Sequence, residues 1–289
     1  MSLATLLALL ANLFFASAAV GFSKYSSIYG SLWVNSFKSV VALLCMGLVF
    51  VIFGYCNEPV NSITLLFMLS GLIGLALGDY LLIIGFEKIG PSRTLLIFGI
   101  QPVLFLGVDY FFMGLSLTYK VPLGVFFMLT SLFFAFYENK KARFDWSYAG
   151  IMCGFFGVFL DFLGVVLTKI GMNMGESTII EIHFWRMLGA TIGLTLYHFT
   201  FRKPFLKFNK EENLYSKLFF ICACFVGTVL SLWCYLKAVE IGPLSSISAV
   251  AVTAPLFAGI FEWVFTKKPL SLKLAFSFVF FGVGFYFLS

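Results

Sequence analysis

Ile89-Gly90-Pro91-Ser92 and, 152 residues later, Ile241-Gly242-Pro243-Leu244 are one junction written twice. Each lies between two long apolar runs. Proline at the first turn of a helix and glycine just before it mark the place where one helix stops and the next begins. The agreement continues on both sides of the junction. The run after each junction carries a proline, Pro102 and Pro255, with an acid seven residues further on, Asp109 and Glu262. Upstream, Asn35-Ser36-Phe37-Lys38-Ser39 aligns with His183-Phe184-Trp185-Arg186-Met187 and sets Lys38 against Arg186. Ser23-Lys24 matches Thr168-Lys169. The chain is therefore a duplication, and such internal self-similarity bears on architecture before any single residue does.

Composition fixes the solvent. Of 289 residues 61% are hydrophobic and only 11% charged, with a mean hydropathy of +1.02. Soluble domains are about half apolar and about a quarter charged, so this is an integral membrane chain. A helix crosses the hydrocarbon core in about 20 residues. Ten apolar runs meet that length, near 3–22, 30–54, 63–86, 92–113, 120–137, 146–168, 177–200, 217–239, 243–265 and 271–288. Too little chain remains for a soluble domain. The expected fold is an all-α integral membrane protein of ten transmembrane helices, with a first five-helix repeat over 1–137, a connecting loop at 138–145 and a second repeat over 146–289. An odd number of spans per half makes the second half enter from the opposite side, which gives inverted-topology repeats.

Five of the six cysteines, Cys45, Cys153, Cys222, Cys224 and Cys234, lie inside apolar runs and read as small core residues. The net charge of +6 belongs to connections rather than to a nucleic-acid surface. Alternate connections hold fourteen Lys and Arg, five of them between Arg202 and Lys217, against Lys120, Lys169 and Lys237 on the other side. By the positive-inside rule the fourteen face the cytoplasm and both termini face out. The expected setting is the bacterial cytoplasmic (inner) membrane.

The whole pattern resembles the drug/metabolite transporter superfamily, and within it the EamA-like branch. The resemblance is carried by the two five-helix halves, a Lys ending the first span of each, a cation in the second, Leu77-Gly78-Asp79 in the third, the Gly90-Pro91 and Gly242-Pro243 junctions, and Pro102 and Pro255. It departs in having Lys38 where relatives often carry Arg, and Leu115 and Lys268 where they often carry Glu. The resemblance implies a transporter with its site between the halves.

Charges inside the hydrocarbon cost roughly 2.5–3.5 kcal/mol each on insertion scales, so they face cavities and pair. Lys38 and Arg186 fall near the midplane from opposite ends, and together they suggest a basic centre for a carboxylate or phosphate. Gln101, His183, Asp79 and Asp161 complete the expected substrate-binding set, and either cation could instead bridge a nearby acid such as Glu181. A carboxylate that takes up a proton would couple transport to protons; Asp79, Asp161, Asp109 and Glu262 are the candidates. Pro102 and Pro255 are expected to kink their helices and serve as gates. The small-residue spacings Gly74-x3-Gly78, Gly150-x3-Gly154 and Gly189-x3-Gly193 allow close helix approach, with a monomer or weak homodimer as the expected state.

The function that follows is secondary active transport, as an exporter or exchanger of a small organic metabolite, amino-acid-like or anionic, by alternating access. A passive channel or lipid scramblase is the alternative. An enzyme acting on lipid lacks its motifs, with no H-E-x-x-H, no G-x-S-x-G and two histidines in all. No G-x-x-x-x-G-K-[ST] run supplies ATP binding. The expected partners are a small-molecule substrate and lipid, with no nucleic acid, metal or cofactor.

Overall fold

Water is absent from the bilayer core, so a chain this apolar must satisfy its backbone within itself, and helices are how it does so. The computed structural model describes residues 3–55, 60–113, 147–200, 213–251, 253–266 and 272–288, with isolated positions between 119 and 134. Among these residues the structure is helical throughout. Helix α1 is Leu3–Tyr29, α2 Ser31–Ile52 and α3 Ser62–Ile89. Helix α4 runs from Pro91 to Met113 through a tight 3-10 turn at Ile97–Ile100. Then come α5 (Tyr148–Met174), α6 (Ile179–Thr200) and α7 (Leu214–Ile241). Helices α8 (Leu244–Ala251), α9 (Ala254–Thr266) and α10 (Leu272–Leu288) complete the order. The first seven are long and apolar enough to cross a membrane.

Local sequence explains the helix ends. Asn61 accepts from the backbone N–H groups of Ile63 and Thr64 while Thr64 Oγ1 accepts from the Asn61 N–H, a complete capping box at the start of α3. Ser147 and Asn213 cap α5 and α7 through their side chains. Gly30 and Gly90 both take φ of 88° between consecutive helices, a conformation that side chains with a Cβ rarely adopt. The two prolines break their helices in the same way. Pro102 follows the 3-10 turn of α4, and the segment expected as a single ninth span is divided at Thr253, two residues before Pro255. The expected fifth span and the 138–145 connection lie largely or wholly outside the described residues, as do 201–212 and Cys56.

Two distortions answer each other. Helix α3 widens into a π-helical stretch at Gly71–Gly78, and α7 does so at Phe225–Leu230. Shifted by the 152-residue offset of the Gly-Pro junctions, the first stretch overlies the second. A π segment disturbs the i to i−4 ladder and leaves carbonyls in need of partners. Asn35 meets this need on α3, its Nδ2 donating to the carbonyls of Ala76 at 2.8 Å and Leu75 at 3.1 Å.

Packing between the halves is reciprocal. Helix α5 lies along the π segment and C-terminal part of α3, as α1 lies along those of α7; α6 touches the π segment of α3, as α2 touches that of α7. Residues 101–113 pack on α8, and α9 packs on residues 91–96. Ser131, in the region of the fifth apolar run, exchanges hydrogen bonds with Ser277 of α10. The polar groups lie inside, with Lys38, Asp79, Asp109 and Arg186 all buried, while Leu44, Phe111 and Phe199 are exposed on the outer surface. That inversion is what lipid as solvent requires.

Glycines set how closely α3 can be approached. A Cβ on Gly71 would lie 1.9 Å from the Arg186 carbonyl oxygen, and one on Gly189 would lie 2.1 Å from that of Met68. On the other side Gly164 meets Gly74, and Gly157 meets Leu82 and Gly78. The small-residue faces seen in the sequence are thus used within the chain. Gly71→Ala should lower the melting temperature of the purified protein in detergent, the backbone clash costing about 1–3 kcal/mol or more. Gly107→Ala, with nothing within 4 Å of the new methyl, should leave it unchanged or raise it slightly.

Candidate functional site

The π segments and the helix breaks converge on one cavity. Its volume is about 90 Å³, several times the roughly 10–15 Å³ that one water requires. Lys38 of α2 and Asp79 of α3 form part of the wall, with Gln101 of α4 and Asp161 of α5 beside them. Helix α1 contributes Asn12 and Phe15, α4 also Phe98, and α7 contributes Thr228, Ser231 and Tyr235. Ala254, beside Pro255, closes one edge. Both π segments and both broken segments therefore border the same space.

Lys38 and Asp79 form a buried salt bridge. Lys38 stands two turns into α2, and Asp79 immediately follows the π stretch. The lysine Nζ also lies 5.8 Å from the ring centre of Phe22, a favourable place for a cation. Asp161 has a different partner, accepting at Oδ2 from the Gln101 amide at 2.7 Å. Lys38, Arg186 and Asp79 are within electrostatic reach of that carboxylate, as is Tyr235, but none of them hydrogen-bonds to it in the contacts described.

Arg186 and His183 stand behind the wall. Both are almost completely buried, and among the described residues no Arg186 nitrogen has a hydrogen-bond partner. The Arg186 guanidinium lies beside Gly74, 3.7 Å from where a Cβ there would be. His183 lies against the backbone of Thr228. The repeat explains why Arg186 has no acid. Lys38 pairs with Asp79, but the 152-residue offset carries Asp79 onto Ser231, which donates to the Ala11 carbonyl. Glu181, an alternative partner on the sequence reading, accepts instead from Thr178 at the start of α6.

The structure thus brings together Lys38, Asp79, Gln101 and Asp161 of the expected set and leaves Arg186 and His183 outside the cavity lining. The basic centre suggested by Lys38 with Arg186 is not what the cavity presents, because Asp79 neutralises Lys38 and Arg186 is sealed off. Asp109 does not line the cavity. It is buried on α4 and accepts from the Ser245 N–H at 2.8 Å, fastening α4 to the start of α8. Glu262 lies on α9, and its side chain falls outside the described residues. Pro102 and Pro255 are buried next to cavity residues Gln101 and Ala254. Asn12, Thr228, Ser231 and Tyr235 escape the sequence reading because single neutral polar residues in apolar runs give little signal. Asn35 was visible as the residue aligned with His183, though its role as a clamp on a π segment was not.

A bundle of lipid-length helices around a buried, charged cavity is the build of a multi-pass membrane transporter. The EamA-like transporter family matches residues 2–137 and again 148–289, and the chain belongs to that family, within the drug/metabolite transporter superfamily. A solved crystal structure of a protein aligns over 99% of this chain and 95% of its own, with a TM-score of 0.73 at 13% identity, and so shares the fold. No curated protein matches the sequence.

Removing one member of a buried ion pair leaves the other uncompensated, at a cost of about 3–5 kcal/mol, whereas replacing both by apolar groups of similar size is often nearly neutral. Asp79→Ala should therefore lower thermal stability sharply, and the double variant Lys38→Met/Asp79→Leu should recover most of the loss in a double-mutant cycle.

Proposed function

We propose that this chain is a secondary active carrier that moves a small organic metabolite through the central cavity by alternating access. The observation that carries the reading is the position of the cavity. It lies at the seam of the two halves, bordered by the π segment of each and by the break preceding each helix proline. The reciprocal contacts favour ten spans arranged as two inverted five-helix repeats. In such an arrangement, exchanging the conformations of the halves turns an outward opening into an inward one. The internal use of the glycine faces favours the monomer as the working unit, and loop charge favours the basic connections on the cytoplasmic side.

Proton coupling fits Asp161 better than Asp79. Protonating Asp79 would break its bridge to Lys38 and strand an ammonium in the interior, whereas Asp161 is held only by a neutral amide. Lys38, Asp79, Arg186 and Tyr235 are the ionisable groups that surround it. Asp109, tied to the start of α8, fits a hinge role rather than a coupling one.

Purified protein in liposomes, screened with radiolabelled amino acids, organic acids and amines, should show uptake accelerated by the same unlabelled compound inside. Flux without such acceleration would instead mark a channel. For any compound exchanged, Asp161→Asn should abolish the response to an imposed pH gradient in whatever exchange remains.

A further inference from the structure

We infer that the substrate is an organic cation, an amine whose ammonium group is received by Asp161 and whose apolar body lies against Phe15, Phe98 and Tyr235. The inference rests on the carrier reading above and assigns the chemical class that its cavity takes.

Charge accounting at the cavity wall gives the first reason. Among the described residues three charged side chains line the space, Lys38, Asp79 and Asp161. The first two form a salt bridge, so neither offers its charge to a ligand without surrendering a partner in a medium where that is costly. Asp161 remains. Its Oδ2 accepts from Gln101, and no cation hydrogen-bonds to it. The charge the wall can offer a ligand is therefore negative.

An anion would fare poorly in the same place. It would meet two carboxylates and one lysine already held by Asp79 and packed over the Phe22 ring. The remaining buried cation, Arg186, is 1% exposed and is not part of the lining. Its guanidinium lies beside Gly74, 3.7 Å from where a Cβ there would be. From there it balances the second acid through space but does not reach a ligand. Two cations and two acids make the empty centre neutral overall, with the unbridged acid in the cavity lining and the unbridged cation outside it.

The apolar lining gives the second reason. Phe15 and Phe98 meet edge to face with centroids 6.5 Å apart, and Tyr235 is also part of the lining. Aromatic faces attract cations at close range, and that attraction grows where water is excluded. Asn12, Gln101, Thr228 and Ser231 supply neutral groups for the remaining N–H donors of an ammonium. Thr228 Oγ1 is buried without a hydrogen bond, so an acceptor at the wall is free. A lone carboxylate among aromatic rings in a site sized for a small molecule is a receptor for an amine with an apolar body.

Three compounds that share a phenyl ring on a short chain separate the classes: phenethylamine, 3-phenylpropionate and phenylalanine. Their affinities for detergent-purified protein are read from ligand-dependent thermal stabilisation. The amine should stabilise the wild type, and 3-phenylpropionate should not. Asp161→Asn should weaken the amine by at least about tenfold, the worth of a charge-assisted hydrogen bond, and Asp161→Glu should restore much of it. Phenylalanine should bind less well than the amine, since its carboxylate finds no free cation. Stabilisation by 3-phenylpropionate, equal or stronger binding of phenylalanine, or an amine affinity unchanged in Asp161→Asn would overturn the inference; so would no stabilisation by the amine. The wild-type comparison stands even if a variant fails to fold. Exchange assays with the same compounds keep the two claims apart. Exchange of the carboxylate alone would sink the cation assignment and leave the carrier, whereas amine binding without exchange would sink the carrier and leave the assignment.

Discussion

A single buried ion pair decides what chemistry the centre of this molecule can perform. Lys38 and Asp79 each carry a charge that the bilayer interior penalises, and each removes the other's penalty. Their bridge ties α2 to the residue at which the π segment of α3 returns to regular helix. Asn35, one turn earlier on α2, holds the loosened carbonyls of the same segment. The two contacts together make a widened, weakened stretch of helix into a fixed wall. They also take Lys38 out of circulation as a ligand, which leaves the character of the cavity to Asp161.

The first half holds this arrangement complete and the second holds only part of it. The second half keeps the cation, as Arg186, and keeps the π segment, at Phe225–Leu230, but has Ser231 where the first has Asp79. It also has His183 in place of Asn35, lying against the backbone of Thr228 in that segment. A symmetric molecule would have carried two saturated bridges and an inert centre. With Ser231 in that place Arg186 has no bridging acid, and Asp161 on α5 is the acid that balances it through space. Asymmetry of this kind is what turns a scaffold repeat into a binding site with a definite charge.

How much of this could be read from the chain divides along a physical line. The hydrophobic thickness of a membrane is a length, and a run of about 20 apolar residues reports it directly, which is why the long helices, the Gly90 junction and the repeat were legible. Lys38, Asp79, Gln101 and Asp161 were legible for a related reason: a polar residue inside such a run has to be accounted for. What escaped was direction. Sequence gives the depth of Arg186 but not its azimuth, and azimuth decides whether a guanidinium lines a cavity or lies outside its lining. The π segments were invisible as well, since GLIGLALG and FVGTVL are ordinary apolar helix by composition and differ only in hydrogen-bond register.

The placement of glycines and prolines separates parts that are clamped from parts that are free to move. Helix α3 is gripped from both sides by backbone contacts, at Gly71 and Gly189 with α6 and at Gly74, Gly157 and Gly164 with α5. Contacts that close leave little room for sliding, because any displacement drives carbonyl against Cα. Breaks in the helical ladder are found elsewhere, just before Pro102 in α4 and at Thr253 before Pro255, each adjoining a residue of the cavity wall. Asp109 joins these two regions by holding the start of α8 to α4. On the carrier reading, α3, α5 and α6 form the frame that keeps Lys38, Asp79 and Asp161 in place, and the broken helices are the parts that open. Gln101 then acquires a second meaning. It sits on the broken helix α4 and holds Asp161 on the frame, so a ligand that draws the carboxylate away from Gln101 loosens the tie between the moving part and the fixed one, and occupancy of the site and release of the gate become one event.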